Sequence, residues 1–317
     1  MPQEYVCLSV PDLSDPLSVV VTHPKDRIGY DATDSHLFLG YKPVVMALVF
    51  PPDGEAIAKA MGSEVVCLSF NFALFEANST WRNMAADKNS LARLLLEKRK
   101  VSRMNNETVI FYEAIDGKHT FIAPGYQAMN NIIEKLRPRK PGNVGLPGSL
   151  YDMVRIAYSV PRVISLITIE REGAMNMFPT DLHGAVSDQF YINSLRIGGK
   201  ANKQVETSRK LTIATLPSAE FKMTYSLGKN HMKDLQPIDS YYGQTTSRRN
   251  GVVLPASTNG YRELRQVESF DIGIHRIHTY ETEYVERPSH ADILGHIHQY
   301  YAQWRMDRGL ETKMLLR

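Results

Sequence analysis

The chain has 317 residues, 43% of them hydrophobic, and 37 basic side chains nearly balance 34 acidic ones, for a formal net charge of +3. This length predicts about two domains with buried cores, and the small, dispersed charge excess argues against a nucleic-acid partner. Two cysteines, Cys7 and Cys67, are too few for a disulfide scaffold. Since neither an apolar stretch of about 18 residues nor a signal-peptide pattern is found, we expect a cytoplasmic protein with no membrane partner.

The first half of the chain alternates apolar runs with helical patterns. Apolar runs predict buried strands over 42–50 and 65–70. Apolar residues at helical spacing predict helices over 56–61, 89–99 and 125–136. Asp116-Gly117, between two β-rich runs, predicts a hairpin turn. These elements together indicate an N-terminal α/β domain over residues 1–140.

A stretch rich in proline and glycine, residues 137–148, separates the two halves. Proline fixes its φ angle and removes an amide donor, whereas glycine loosens the backbone. The sequence therefore predicts a domain junction here, with a second domain over residues 150–317.

The second half is predicted to be mainly β. Runs rich in β-branched residues, or alternating in polarity, predict strands over 163–169, 189–194, 211–216 and 273–285. A turn is predicted at residues 171–173, a short helix over 200–206, and a terminal helix over 289–304 with Ser289 as its N-cap. Several strands with few helices favour a barrel.

The order of short motifs in this half resembles a known family. The motifs are VPRVISLIT at 160–168, NMFPTDL at 176–182, VSD at 186–188, YINSLR at 191–196, KANKQV at 200–205, LTIATLP at 211–217 and GIH at 273–275. Over about residues 151–304 this order resembles the flavin reductase-like family, which includes the flavoredoxins. The resemblance implies an FMN-binding split β-barrel, with NAD(P)H as a transient co-substrate. It also implies a homodimer, in which the flavin site is often built across the interface.

For the FMN phosphate, the resemblance points to residues 194–202 and to a later lysine. The implied ligands are Ser194, Arg196, Lys200, Asn202 and Lys233. Hydroxyls, cations and the free amides at a helix start all suit a phosphate. Without the resemblance, the same pattern indicates a turn with solvated basic side chains. Lys233 is then interpreted as an ordinary solvated lysine.

For the flavin ring, the resemblance points to residues 176–180. Asn176, Phe178, Pro179 and Thr180 are expected along the isoalloxazine edge, where polar atoms tune the reduction potential. The alternative is an ordinary strand end closed by proline. His275 is expected beside the flavin or the nicotinamide as the catalytic residue, the alternative being a solvated strand histidine.

Two residues depart from the family pattern. Many relatives have an aromatic residue where Leu182 stands, and a threonine where Ala201 begins the short helix. The missing hydroxyl weakens the expected phosphate cradle, although Asn202 or Lys203 is placed to compensate.

Metal sites and other nucleotide or hydrolase motifs are not indicated. His275 and His278 are three apart on a predicted strand, and His296 and His298 two apart on a predicted helix, so neither pair converges on one ion. No Gly-x-Gly-x-x-Gly fingerprint follows a strand, and no Gly-x-Ser-x-Gly elbow is found.

The sequence therefore predicts an FMN-binding flavoprotein that acts as an NAD(P)H-dependent flavin oxidoreductase with an unspecified electron acceptor. In such an enzyme the flavin performs the redox chemistry, so no dedicated acid–base pair is required. The alternative is a non-catalytic flavin-binding or sensing protein whose N-terminal domain carries the specific function. For that domain the sequence indicates no known family.

Overall fold

Strands dominate the computed structural model of the chain and make up more than half of the residues that it describes. The structure describes residues 3–8, 17–23, 29–51, 65–72, 90–136, 144–146, 148–238, 245–288, 292–309 and 314–315. Its strands are β1 (Gln3–Leu8), β2 (Leu17–Thr22), β3 (Gly29–Asp31), β4 (His36–Tyr41), β5 (Val44–Phe50), β6 (Val65–Phe72), β7 (Ser90–Met104), β8 (Glu107–His119), β9 (Arg162–Val163), β10 (Ser165–Arg171), β11 (Ala174–Thr180), β12 (His183–Ala185), β13 (Phe190–Arg196), β14 (Lys210–Thr215), β15 (Gln236–Pro237), β16 (Thr245–Thr246), β17 (Val253–Leu254), β18 (Gly260–Ile272), β19 (His275–Glu286), β20 (Ile293–His298) and β21 (Met314–Leu315). Its α-helices are α1 (Pro124–Leu136), α2 (Ser149–Ala157), α3 (Lys200–Ser208), α4 (Phe221–Ser226) and α5 (Gln299–Met306), with 3-10 helices at Ser218–Glu220 and Leu227–Met232.

The chain divides into two units, each built from separate stretches. The C-terminal unit comprises Pro161–Ile297 together with Met1–Leu13 and Lys313–Arg317. The N-terminal unit comprises Ser14–Val160 and His298–Thr312. The division thus falls at Pro161, whereas the sequence placed the junction in residues 137–148, most of which lie outside the described residues.

The N-terminal unit contains one seven-stranded sheet in the order β3-β2-β6-β7-β8-β5-β4. Every pairing in it is antiparallel. The predicted strands at 42–50 and 65–70 are confirmed as β5 and β6, and the helix at 125–136 is confirmed as α1. The predicted helix at 56–61 lies outside the described residues. The described part of this unit is therefore an antiparallel sheet with a few helices, and the expected α/β alternation is not found in it.

The predicted helix over 89–99 is wrong, because this segment is strand β7. Ala92, Leu94 and Leu96 are 0–1% exposed and follow the two-residue period of a strand. β7 pairs with β6 on one side and β8 on the other, so both of its edges are satisfied. Tertiary pairing decides the structure of a leucine-rich run whose pattern suits a helix equally well.

The predicted hairpin at Asp116-Gly117 is also wrong, because β8 runs unbroken through both residues. Gly117 has a packing role instead. A Cβ atom at this position would lie 2.7 Å from Cγ of Met153 on α2 and 3.0 Å from Cδ2 of Leu94. The glycine therefore lets helix α2 approach the sheet closely.

We expect Gly117→Ala to lower the free energy of unfolding by about 1–3 kcal/mol, because the added methyl group overpacks this contact. Urea unfolding followed by circular dichroism measures the change. Lys118→Ala, at the exposed neighbouring position of β8, is the matched control and should shift stability by less than about 0.5 kcal/mol. Equal effects for the two variants would contradict the packing role of Gly117.

In the C-terminal unit, eight strands form an antiparallel sheet in the order β12-β13-β19-β18-β14-β10-β11-β15. The predicted strands at 163–169, 189–194, 211–216 and 273–285 are confirmed within a few residues, as are the turn at 171–173 and the helix at 200–206. β1, β9, β20 and β21 form a separate sheet in the order β21-β1-β20-β9.

The eight-stranded sheet curls around helix α3. Phe178 on β11 and Tyr191 on β13 belong to one apolar core together with Ala201 and Val205 of α3. In a flat sheet β11 and β13, five strands apart, would be separated by about 24 Å. Leu182, just after β11, accepts a hydrogen bond from the amide of Ser194 on β13 at 2.8 Å. The two ends of the sheet are therefore close together, although β12 and β15 do not pair with each other among the described residues.

The predicted terminal helix over 289–304 is only partly correct. Residues 293–298 form strand β20, and helix α5 begins at Gln299. His298 is its N-cap, and its Nδ1 accepts a hydrogen bond from the amide of Tyr300 at 3.2 Å. Ser289, the expected N-cap, lies outside the described residues. None of the described helices is long and apolar enough to cross a membrane.

Candidate functional site

One corner of the C-terminal unit brings together the end of β11, the end of β13 and the start of α3. Gly199 precedes α3 and lies close to two backbone segments. A Cβ atom there would be 3.2 Å from the carbonyl oxygen of Arg196 and 3.5 Å from that of His231. The corner is therefore lined by residues 194–200 and by the 3-10 helix Leu227–Met232.

The start of helix α3 has features that favour an anion. Its N-cap is Gly199, which offers no side-chain cap, and its first turn has no acidic residue. Backbone amides at a helix N-terminus carry partial positive charge and bind phosphate groups in many proteins. Arg196 ends the neighbouring strand β13 and adds a full positive charge to the same corner.

His275 is fully buried beside this cation. It lies opposite Arg196 in the register of β13 and β19, and its Nδ1 is 3.3 Å from Oγ of Ser194. Burial lowers the pKa of His275 to about 4, the positive charge of Arg196 contributes further, and the negative charge of Asp181 opposes both. The imidazole is therefore neutral at pH 7 and forms hydrogen bonds without adding charge.

Asp181 and His231 also belong to this corner, although the sequence motifs assigned a role to neither residue. The Nε2–H of His231 donates to the carbonyl oxygen of Pro179 at 2.7 Å, and its ring centroid lies 4.7 Å from that of Phe178. Burial lowers the pKa of His231, while the hydrogen bond to Pro179 and the charge of Asp181 raise it. No local pattern in the sequence connects His231 to a strand that ends about 50 residues earlier.

Three of the expected flavin ligands have internal roles in the structure. Nδ2 of Asn176 donates to Oε1 of Gln204 at 2.7 Å and to the carbonyl oxygen of Asn230 at 3.0 Å. Oδ1 of Asn202 accepts from Nε2 of His278 at 2.9 Å. Phe178 is fully buried in the core. These side chains shape the corner from within.

The remaining expected ligands are nearer the surface. Lys200 is exposed, and its ammonium group lies 2.5 Å from a carboxylate oxygen of Asp234. Lys233 is exposed as well, and its carbonyl oxygen accepts from Nε2 of Gln204 at 2.9 Å. Thr180 is buried at the end of β11, and Pro179 is half-buried beside it. Arg196, Ser194, Pro179, Thr180 and His275 therefore lie together, with the lysines at the rim.

The two departures from the family pattern both serve packing. Ala201 is 1% exposed and belongs to the core that α3 shares with the sheet. Leu182 is 6% exposed and its carbonyl oxygen accepts from the Ser194 amide. Position 201 therefore offers this corner no side-chain hydroxyl.

No group of three or more His, Cys, Asp or Glu side chains among the described residues is placed to hold a metal ion. His275 contacts Ser194, whereas Nε2 of His278 donates to Asn202 and its Nδ1 accepts from Gln266 at 3.2 Å. The two histidines thus have separate surroundings. The side chain of His296 lies outside the described residues.

Comparison with known proteins gives matches in solved structures alone, since no family model and no curated protein matches the chain. An FMN-binding protein from Thermus thermophilus is 16% identical, with 52% of this chain and 92% of that chain covered and a TM-score of 0.41. The flavin reductase component of a bacterial two-component tryptophan halogenase is 14% identical, with 53% and 98% covered and a TM-score of 0.43. An NADH:FAD oxidoreductase from Streptomyces globisporus is 12% identical, with 50% and 93% covered and a TM-score of 0.42. About half of this chain is thus similar to flavin reductases and FMN-binding proteins, the kinds of protein that the motif order resembles.

Proposed function

We propose that the protein is an FMN-binding flavoprotein that accepts hydride from NADH or NADPH, with the C-terminal unit as its split-barrel domain. One observation carries the proposal. The uncapped start of α3, the cation of Arg196 and the buried neutral His275 converge on one corner, and this supports the proposal because the motifs that form this corner resemble those of flavin reductases.

The donor set at this corner fits the phosphate of FMN. Backbone amides at the start of α3 and the guanidinium of Arg196 bind a phosphate in a charge-assisted manner. The ammonium groups of Lys200 and Lys233 at the rim add long-range attraction, although Lys200 also pairs with Asp234. The side chain of Ala201 offers no hydroxyl, so the affinity for phosphate depends mainly on Arg196 and the backbone amides at the start of α3.

Bound flavin would supply the redox chemistry, and the protein residues would position and polarise it. Ser194 and Thr180 present hydroxyls at the ends of β13 and β11, where the ring is proposed to lie. His275 is fully buried, so we assign it a positioning role, in which its imidazole fixes the hydroxyl of Ser194. Because it is neutral at pH 7, it adds no positive charge to that of Arg196.

A homodimer completes the proposal. The motif order resembles a family that often builds its flavin site across a dimer interface. The corner described above supplies phosphate and edge contacts from one protomer, and the second face of the ring would be covered by the other.

The proposal is tested by flavin binding and by reduction with nicotinamide nucleotides. We expect the purified protein to bind FMN with an absorbance band near ~450 nm and to lose this band when NADH or NADPH is added anaerobically. His275→Ala should slow this reduction about 10- to 100-fold in stopped flow while FMN remains bound, because the Ser194 hydroxyl is no longer fixed.

His275→Asn is the matched variant for this experiment, since it keeps a hydrogen-bonding group next to Ser194 and should recover part of the rate. A wild-type protein that binds FMN but is reduced by neither nucleotide would contradict the reductase function and favour a flavin carrier. Unchanged reduction in His275→Ala would remove His275 from the site and leave the reductase in place.

A further inference from the structure

Helix α1 of the N-terminal unit turns its polar face towards the unit and its apolar face towards solvent, which is the reverse of an ordinary amphipathic helix. The side chains that face the rest of the unit are polar. Nε2 of Gln127 donates to the carbonyl oxygens of His119 and Ile122, at 3.0 and 2.8 Å. Asn131 contacts both Asp152 and Arg155 of α2, each at 3.2 Å. Polar hydrogen bonds, and not an apolar stripe, therefore attach this helix to its unit.

The apolar stripe of α1 faces away from the unit. Its members are Tyr126 (63% exposed), Met129 (48%), Ile132 (58%), Ile133 (48%) and Leu136 (78%). An amphipathic helix on a globular protein normally buries this stripe against the core. Five exposed large apolar side chains on one helix therefore indicate that the stripe contacts something outside the unit.

The spacing of the stripe suits a second helix of the same kind. Tyr126, Met129, Ile133 and Leu136 are separated by three, four and three residues, which is the a-d-a-d pattern of helices that pack side by side. The stripe itself carries no charge, so two copies can meet without like-charge repulsion. A membrane-binding helix would differ, since its polar face is typically rich in Lys and Arg, whereas the inward face of α1 presents Gln127 and Asn131.

The area is also sufficient for a specific contact between two copies. With side-chain areas on the order of 200 Å², the stripe exposes roughly 500 Å², at the upper end of what a monomer leaves in solvent. Two such stripes would bury roughly 1,000 Å², about the smallest area of a specific interface.

We propose that the apolar stripe of α1 pairs with the same stripe of a second copy of this chain. The contact lies in the N-terminal unit and is independent of the flavin site and of the homodimer proposed for the C-terminal unit. It assigns to the N-terminal unit a role in self-association.

The mass of the full-length protein in solution tests the pairing. We expect Met129→Glu/Ile133→Glu to halve the mass measured by light scattering, from two chains to one, or from four to two where the C-terminal units also pair. The far-UV circular dichroism spectrum should stay unchanged, because both side chains are about half exposed in one copy. Ala128→Glu, an exposed position beside the stripe, is the matched control and should keep the wild-type mass. Equal masses for all three proteins would overturn the proposal.

Disulfide trapping locates the contact independently. Under mild oxidation, Met129→Cys should form a disulfide-linked pair of chains if the helices are parallel, and a mixture of Met129→Cys with Ile133→Cys should do so if they are antiparallel. Ala128→Cys, with Cys7 and Cys67 also retained, should remain at the wild-type background. Crosslinking no greater than that background in every case would overturn the proposal. Binding to phosphatidylcholine–phosphatidylserine vesicles is a second check. The proposal would also be overturned if wild-type protein bound these vesicles and Met129→Glu/Ile133→Glu did not.

Discussion

Lowering the pH from 7 to 4 is expected to destabilise the C-terminal unit by about 3 kcal/mol for each of three histidines. Burial is the main cause that lowers the pKa of His183, His275 and His278 to about 4, against about 6.5 in an unfolded chain. Burial also lowers the pKa of His231, which adds to the effect. Between these values the unfolded state binds more protons than the folded state. The contribution of each histidine to the free energy of unfolding is therefore fully present above about pH 6.5 and is lost as the pH falls towards 4.

Urea unfolding at a series of pH values measures this effect. The slope of unfolding free energy against pH should correspond to an uptake of about three protons or more between pH 4.5 and 6. His278→Gln should reduce this uptake by about one proton, because it removes one titrating group and keeps a polar side chain near Asn202. Arg276 lowers the pKa of the Asp271 carboxyl. Such a carboxylate loses its contribution to the free energy of unfolding only below about pH 4, so its titration lies below this window. A stability that is constant from pH 7 to pH 5 would contradict the neutral folded state of these histidines.

Replacing Arg196 with alanine is expected to weaken FMN binding about 10- to 150-fold and riboflavin binding very little. A hydrogen bond to a charged group is worth about 1.5–3 kcal/mol, and only FMN carries the phosphate that the guanidinium pairs with. Fluorescence titration with the two flavins measures the difference. Arg196→Lys should fall between wild type and alanine, since lysine keeps the charge but not the planar pair of donors.

Arg171→Ala is the matched control for this experiment. Arg171 is an exposed arginine of the same unit that pairs with Glu172 in the β10–β11 turn, and its removal should leave both affinities unchanged. An equal loss of FMN and riboflavin in Arg196→Ala would place the arginine away from the phosphate.

The second half of the fold was predictable because its signals are local. Short β-branched runs such as 163–169 and 211–216 cannot form a long helix, and glycines before Lys200 mark the start of α3. β7 was not predictable in the same way. Its leucines at positions 94, 95 and 96 suit a helix as well as a strand, and only the pairing with β6 and β8 decides between the two.

The candidate site, too, could be predicted only where its signals are local. Motif order led to Arg196, Ser194 and His275, which the structure brings together. It did not lead to Asp181 or His231, and it did not show that Asn202 is held by His278, a residue 76 positions away. Such contacts arise from the curl of the sheet around α3, which no short stretch of sequence encodes.

Each unit of the chain is built from stretches that lie far apart in the sequence. Strand β1, at residues 3–8, lies between β21 and β20 in the small sheet of the C-terminal unit. An excised fragment that begins at residue 150 would lose β1 and leave the edge of β20 bare, and bare edges recruit strands from other molecules. A fragment of residues 1–140 would in turn lack α2 and α5. Structural work on either unit therefore requires the whole polypeptide, or a redesigned connection that restores the missing strand.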